Sequence, residues 1–296
     1  MHSDVAFDAN FNSALLYIFE VLRACDNDVV KNQGFQDRAE KLESMDAIAA
    51  WEWRAYADAI NDLLEDADAK FERALYLRPD DTNVMVRWLT MLCVTGQVGK
   101  VKERFKQFRP TLEANLVAME EVIPLLGYVG FFHDAFQLRE RVAAMGGIPG
   151  QEVIGGEFWI GAPPDLGIAK PLAAKKYPDP WPWSAYKFSL ADAEEILADQ
   201  GLSTDAWSEP IGCALRFLRR RGLKVAAVRS SFIPHLDGPS SMHFQLIVQA
   251  EPDVCWDAEW EFCGVLVEES FPVIDSGAAS IAFIPTLMGS SSANIA

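Results

Sequence analysis

The sequence predicts an α+β protein in two parts: an all-α helical repeat array, then a small α+β domain with a β-hairpin. Three observations carry this. Ala67, Val101 and Ala135 recur every 34 residues, and Phe71 with Phe105 and Gly96 with Gly130 keep the same step. A step of that size marks stacked helix-turn-helix units, which act by binding other proteins. Prolines and glycines then crowd residues 150–188 and end the helical pattern. Beyond residue 188, helix signals alternate with β-rich runs. The expected organisation is a repeat domain over 1–149, a Pro/Gly/Trp-rich connector over 150–188 and an α+β domain over 189–296.

Residues 11–25 read as an amphipathic helix, with Phe11, Leu15, Ile18, Phe19 and Leu22 near one face. One long helix is expected over about 35–64, which is rich in Ala, Glu and Leu and has no Gly or Pro after Gly34. The next helix covers 66–77. Pro79 closes it, because proline cannot continue the helical hydrogen bonds, and Asp81 or Thr82 caps the helix that follows.

Trp51, Ala67, Phe71, Ala74 and Pro79 occupy the pattern of one helix pair, and this stretch resembles a tetratricopeptide (TPR) repeat. In that family a large residue stands early in the first helix, a small-large-small set on the second, and a proline at the close. The small Ala67 and Ala74 let two helices approach, and Phe71 fills the space between them. A second unit has Gly96, Val101, Phe105, Phe108 and Pro110. A third has Gly130, Ala135 and Val142 and ends in Gly146, Gly147, Ile148 and Pro149. The resemblance covers about residues 48–149. Three departures stand out: Asp58 replaces an aromatic, Arg139 stands where Phe71 and Phe105 predict one, and Pro124 falls inside the first helix of the third unit. That proline predicts a kink or a late start. By resemblance, the first helix of each unit lines an inner groove for a peptide or helix. Carried over position by position, the groove residues are Glu52 and Tyr56, Asn83 and Thr90, then Glu120 and Tyr128.

In the connector, residues 157–160 read as a short strand, and the segment 178–183 presents two Trp rings between prolines. Those rings are expected to pack on a domain surface, or else to form an extended polyproline segment read by a partner. Ser189 and Asp192 open a helix that Gly201 closes; Ser208 and Pro210 open another that Gly222 closes. Residues 224–232 and 243–249 form the hairpin. Residues 253–269 fit two patterns. Val254, Trp256, Ala258, Trp260 and Phe262 alternate as a strand does, while Asp253, Asp257, Glu261 and Glu268 share one helical face; the helix is favoured. A last strand follows over 279–284, and a loose tail begins at Gly289.

The chain has 296 residues, half of them apolar, with 18 Phe and 9 Trp, which excludes global disorder. Its net charge of −17 disfavours nucleic acid and anionic membranes and favours a basic partner protein. The start has no basic leader, and five scattered cysteines fit reduced thiols, so a cytoplasmic location is expected. After Arg229 there are nine acids and no Lys or Arg. Trp256, Asp257, Glu259, Trp260 and Glu261 interleave aromatic anchors with acids, a composition suited to docking on a basic surface.

Catalytic signatures are weak. Residues 96–100 carry Gly and Lys without P-loop spacing. His235, His243, Cys255 and Cys263 are of zinc-ligand type but lack the close pairs zinc requires. Arg216, Arg219, Arg220 and Arg221 complement the dipole at their helix end. No cofactor or metal is expected. The leading reading is a non-enzymatic adaptor or chaperone-like protein that binds a basic or peptide-like protein partner. One alternative is a stoichiometric inhibitor, such as an immunity protein or antitoxin, of a basic effector. The other is an enzyme using a Cys/His pair.

Overall fold

The structure, a computed structural model, describes residues 22, 29–147, 157–159, 190–233 and 240–285. The expected helix at 11–25 (Leu22 apart), the segment 178–183, the loop holding His235 and the tail from Gly289 lie outside the described residues. Among the described residues, seven helices build the N-terminal array: α1 (Val29–Glu43), α2 (Ala47–Ile60), α3 (Leu64–Leu77), α4 (Thr82–Val94), α5 (Val98–Leu112), α6 (Leu116–Tyr128) and α7 (Phe132–Ala144). From α2 onward they pack as successive antiparallel pairs: α2 with α3, α4 with α5, α6 with α7.

The single helix expected over 35–64 is two helices. Asp46 divides them, because its Oδ1 accepts from the N–H groups of Ile48 (3.1 Å) and Ala49 (3.0 Å). A side chain that satisfies the first N–H groups of one helix ends the helix before it, and no Gly or Pro is required. Gly34 sits inside α1 rather than ahead of it. Asp81 caps α4 in the same way, through Asn83 (3.1 Å) and Val84 (3.2 Å). Pro124 does not delay α6, which starts at Leu116, and Pro110 lies inside α5 rather than after it.

The repeat step has a structural meaning beyond the helices. Asp62, Gly96 and Gly130 are 34 residues apart and occupy the turn inside each helix pair. Their φ values are 62°, 70° and 85°, all left-handed. The helix α9 (Ser208–Arg220), which follows α8 (Leu190–Asp199), meets these three turns in reverse order. A Cβ on Gly130 would stand 2.8 Å from Ile211 Cδ1, and one on Gly96 would stand 2.8 Å from the carbonyl oxygen of Gly212. Arg216 Nη1 donates to the Gly96 carbonyl (2.6 Å). Arg219 Nη2 donates to the Ala59 carbonyl (2.6 Å), and its Nη1 to the Asp62 carboxylate. From Trp207 to Arg219 a helix rises about 18 Å, which matches two steps between helix pairs of roughly 8–10 Å each. The arginines at this helix end therefore do more than offset a dipole: two of them fasten α9 to the array.

The sheet has the order β1 (Glu157–Trp159), β2 (Lys224–Ile233), β3 (Ser241–Gln249), β4 (Ala279–Pro285). β2 and β3 pair antiparallel as the expected hairpin, and β1 adds antiparallel to β2. β4 runs parallel to β3 because α10 (Pro252–Glu269) and α11 (Pro272–Asp275) form the crossover between them. The ambiguous stretch at 253–269 is thus helical. One core runs from Ala39 through Tyr56, Phe71, Trp88 and Phe108 to Trp207, Phe244, Phe262 and Phe283. Phe132 stacks on Phe244 at 6.0 Å, which joins the array to the sheet directly.

Gly212 lies inside α9, where Gly→Ala ordinarily stabilises by about 1 kcal/mol. Here a Cβ would meet the buried Val98 at 2.7 Å and 2.9 Å. Gly212→Ala is expected to lower stability, by about 1–3 kcal/mol, through this overlap. Adding Val98→Ala should recover part of the loss. Urea denaturation of the two variants checks both signs.

Candidate functional site

The first helices of the units are apolar on nearly all sides, so their residues are buried on more than one face. Of the six positions carried over as groove residues, Glu52, Tyr56, Thr90 and Tyr128 are buried, and only Asn83 and Glu120 reach the surface. Thr90 Oγ1 donates to the Val86 carbonyl of its own helix (2.8 Å). Tyr56 packs edge-on against Phe71 at 5.4 Å. The structure therefore does not bring these six side chains together as an open surface.

Glu52 is the chemically unusual member. Its Oε1 accepts from Arg87 Nε (3.0 Å) and Nη2 (2.9 Å), while among the described residues Oε2 is buried without a hydrogen-bond partner. Burial pushes the carboxyl up from its ordinary value of 4.5 to about 7, against the opposing pull of Arg87. Removal from water costs the carboxylate more than one cation returns.

The other candidate surface is α10. Cys255, Ala258 and Phe262 turn inward, and Phe262 stacks on Phe283 at 5.1 Å. The opposite face carries Trp256, 59% exposed, Trp260, 81% exposed, and Val267, 80% exposed. Trp256 and Trp260 are four residues apart and stand one above the other. Asp253, Asp257 and Glu268 are exposed beside them, and no ion pair engages them among the described residues. Glu261 and Glu259 are differently placed. Glu261 pairs with Arg221 at the end of α9. Glu259 is half-buried and accepts from the Phe283 N–H of the edge strand β4 (2.9 Å), which occupies a donor that another strand would otherwise pair with. Sequence reading joined Trp256, Asp257, Glu259, Trp260 and Glu261. The fold keeps Trp256, Asp257 and Trp260 on one outer face and employs the two glutamates internally. It adds Asp253 and Val267, which helical spacing had placed within reach.

Burial, with a smaller contribution from Glu259, pushes the Cys255 thiol up to about 11. His243 Nδ1 pairs with Ser280 Oγ across β3 and β4 (2.8 Å), and desolvation lowers its pKa. Among the described residues, no three His, Cys, Asp or Glu side chains form a metal-ligand group, and no helix is long and apolar enough to cross a membrane. A shallow cavity of about 190 Å³ lies between α5 and the start of α9, lined by Val98, Lys102, Phe131, Asp205 and Glu209. The Lys102–Asp205 ion pair (2.5 Å) crosses it.

Comparison with known proteins gives no match to any family model, any curated protein or any solved structure.

The Glu52 carboxyl makes a signed prediction. A carboxyl whose folded pKa is raised binds its proton more tightly in the folded state. Its contribution to stability is therefore lost as pH rises from about 4.5 to about 7. Relative to Glu52→Gln, the wild type should lose on the order of 3 kcal/mol across that window. Denaturant titrations of both proteins at several pH values measure the difference. A flat difference profile would exclude the raised carboxyl.

Proposed function

We propose that this chain is a non-enzymatic protein-interaction protein, adaptor or chaperone-like in action. Its scaffold is a TPR-like array, and it docks a basic protein partner through the outer face of α10. The observation that carries the reading is the exposure of Trp256 and Trp260 beside Asp253 and Asp257 on a helix whose other face is committed to the core. Exposed aromatic anchors on a rigid element, rimmed by charge of one sign, are what an interface hot spot requires.

The placement of the array residues also bears on the mode of binding. With Glu52, Tyr56, Thr90 and Tyr128 buried, the array serves as a support, and recognition falls to the C-terminal part. A stoichiometric inhibitor of a basic effector would use the same α10 face. Asp253, Asp257 and Glu268, which no described cation neutralises, favour it as the second reading. It differs in demanding a tight complex with fast, salt-sensitive association.

The test compares the wild type with a Trp256→Ala/Trp260→Ala variant as bait in lysate of the native host. Both should show the same circular dichroism, because the two rings stand largely in solvent. A basic protein retained by the wild type, released by rising salt and lost with the variant is the expected result. Equal retention of the same proteins by both baits would overturn the assignment of the α10 face.

A further inference from the structure

Gly264 lies in the middle of α10, is exposed, and a Cβ built on it would meet nothing within 4 Å. Glycine inside a helix is destabilising relative to alanine, so the folded chain by itself gains nothing from it. Its φ is not left-handed, so no turn requires it. Its position is informative. Trp256, Trp260, Gly264 and Glu268 are successive steps of one four-residue ridge along the helix. Two tall rings are followed by a gap, and Val267 flanks that gap.

We infer that the α10 face receives an amphipathic α-helix of a partner protein, with apolar side chains toward the tryptophans and Lys or Arg beside them, crossing α10 at Gly264. This rests on the reading of α10 as the docking face and adds what occupies it. Helices pack by setting the ridge of one into the groove of the other, and a missing side chain at the crossing lets the axes approach closely. The outer face from Trp256 to Val267 rises about 16 Å, the length of three helical turns, so a partner helix that crosses at Gly264 also meets the two tryptophans. The charge of the partner follows from complementarity. Asp253, Asp257 and Glu268 lie beside the ridge without an ion pair among the described residues. A second copy of this chain would oppose those acids with the same acids, and an anionic lipid surface would repel them.

The probes are two synthetic helical peptides of the length of α10, one with leucines on one face and lysines flanking them, the other with glutamates in place of the lysines. A third carries a central proline in the lysine version. Binding is measured by calorimetry to the wild type, Gly264→Ala, Gly264→Leu and Trp256→Ala/Trp260→Ala. The lysine peptide should bind the wild type, and the glutamate and proline versions should bind at least tenfold more weakly. Removing both tryptophans should weaken binding about 30-fold or more. Gly264→Leu should weaken it at least tenfold. Gly264→Ala should raise the melting temperature by a few degrees while weakening binding, so that stability and affinity move in opposite directions.

Binding that needs the tryptophans but is indifferent to Gly264→Leu overturns the helix crossing and leaves the docking face standing. Binding indifferent to the tryptophans overturns the docking face itself. Equal binding of the glutamate or proline peptide, or no binding of the lysine peptide, overturns the partner chemistry.

Discussion

The contact of α9 with the three turns of the array organises the rest of the molecule. A stack of helix pairs touches only its neighbours and leaves its turns exposed in series. Here one straight helix spans all three. At the third unit Trp207 and Ile211 press on Gly130, and at the second Gly212 and Arg216 meet Gly96. At the first, Arg219 holds Ala59 and Asp62. The glycines are explained by close approach. Asp62, the non-glycine member of the series, stands where the opposing group is a long cation that its carboxylate can pair. Arg219 is buried, and its guanidinium donates to Leu22, Ala59 and Asp62, so its charge is met from three sides.

Between units the same regularity appears in polar contacts. Arg87 reaches Glu52, Lys100 reaches Glu65 and Arg104 reaches Asp68, each about one repeat away along the chain. Asp68 also accepts from Trp88 Nε1 (2.8 Å), and the Arg104 guanidinium lies over the Trp88 ring at 4.3 Å. This carboxylate thus joins two helix pairs through a buried indole and a stacked cation. The basic residues on α5 are largely consumed in binding neighbouring helices. Asp58, at an aromatic position of the repeat pattern, is likewise accounted for by its pairing with Lys70.

The C-terminal part turns a crossover into a surface. α10 covers β4, and its own Phe262 packs against the rings of Phe217 and Phe283, which commits one face. The remaining face holds large apolar side chains that the fold does not use. Proteins expose single apolar residues routinely; two aligned tryptophans on a supported helix are the feature on which the proposed docking face rests.

The repeat period, the later helix pairs, the hairpin and the final strand were legible in the sequence, because hydrophobic spacing, proline and glycine act locally along the chain. The sequence also put Asp253, Asp257 and Glu268 on one helical face and interleaved Trp256 and Trp260 with acids, while the direction of the two rings followed only from the helix itself. Tertiary structure decided what local signals do not encode. Asp46 divides a stretch that composition alone makes continuous, since capping depends on a single side chain folding back on its own backbone. Glu52, Tyr56, Thr90 and Tyr128 are buried because their helices, apolar on nearly all sides, are enclosed by the neighbouring helices of the array. Glu261 loses its place in the acidic field because Arg221, 40 residues away, is brought to it. Pairing across such a separation is set by how α9 and α10 pack, and no spacing rule along the chain contains it.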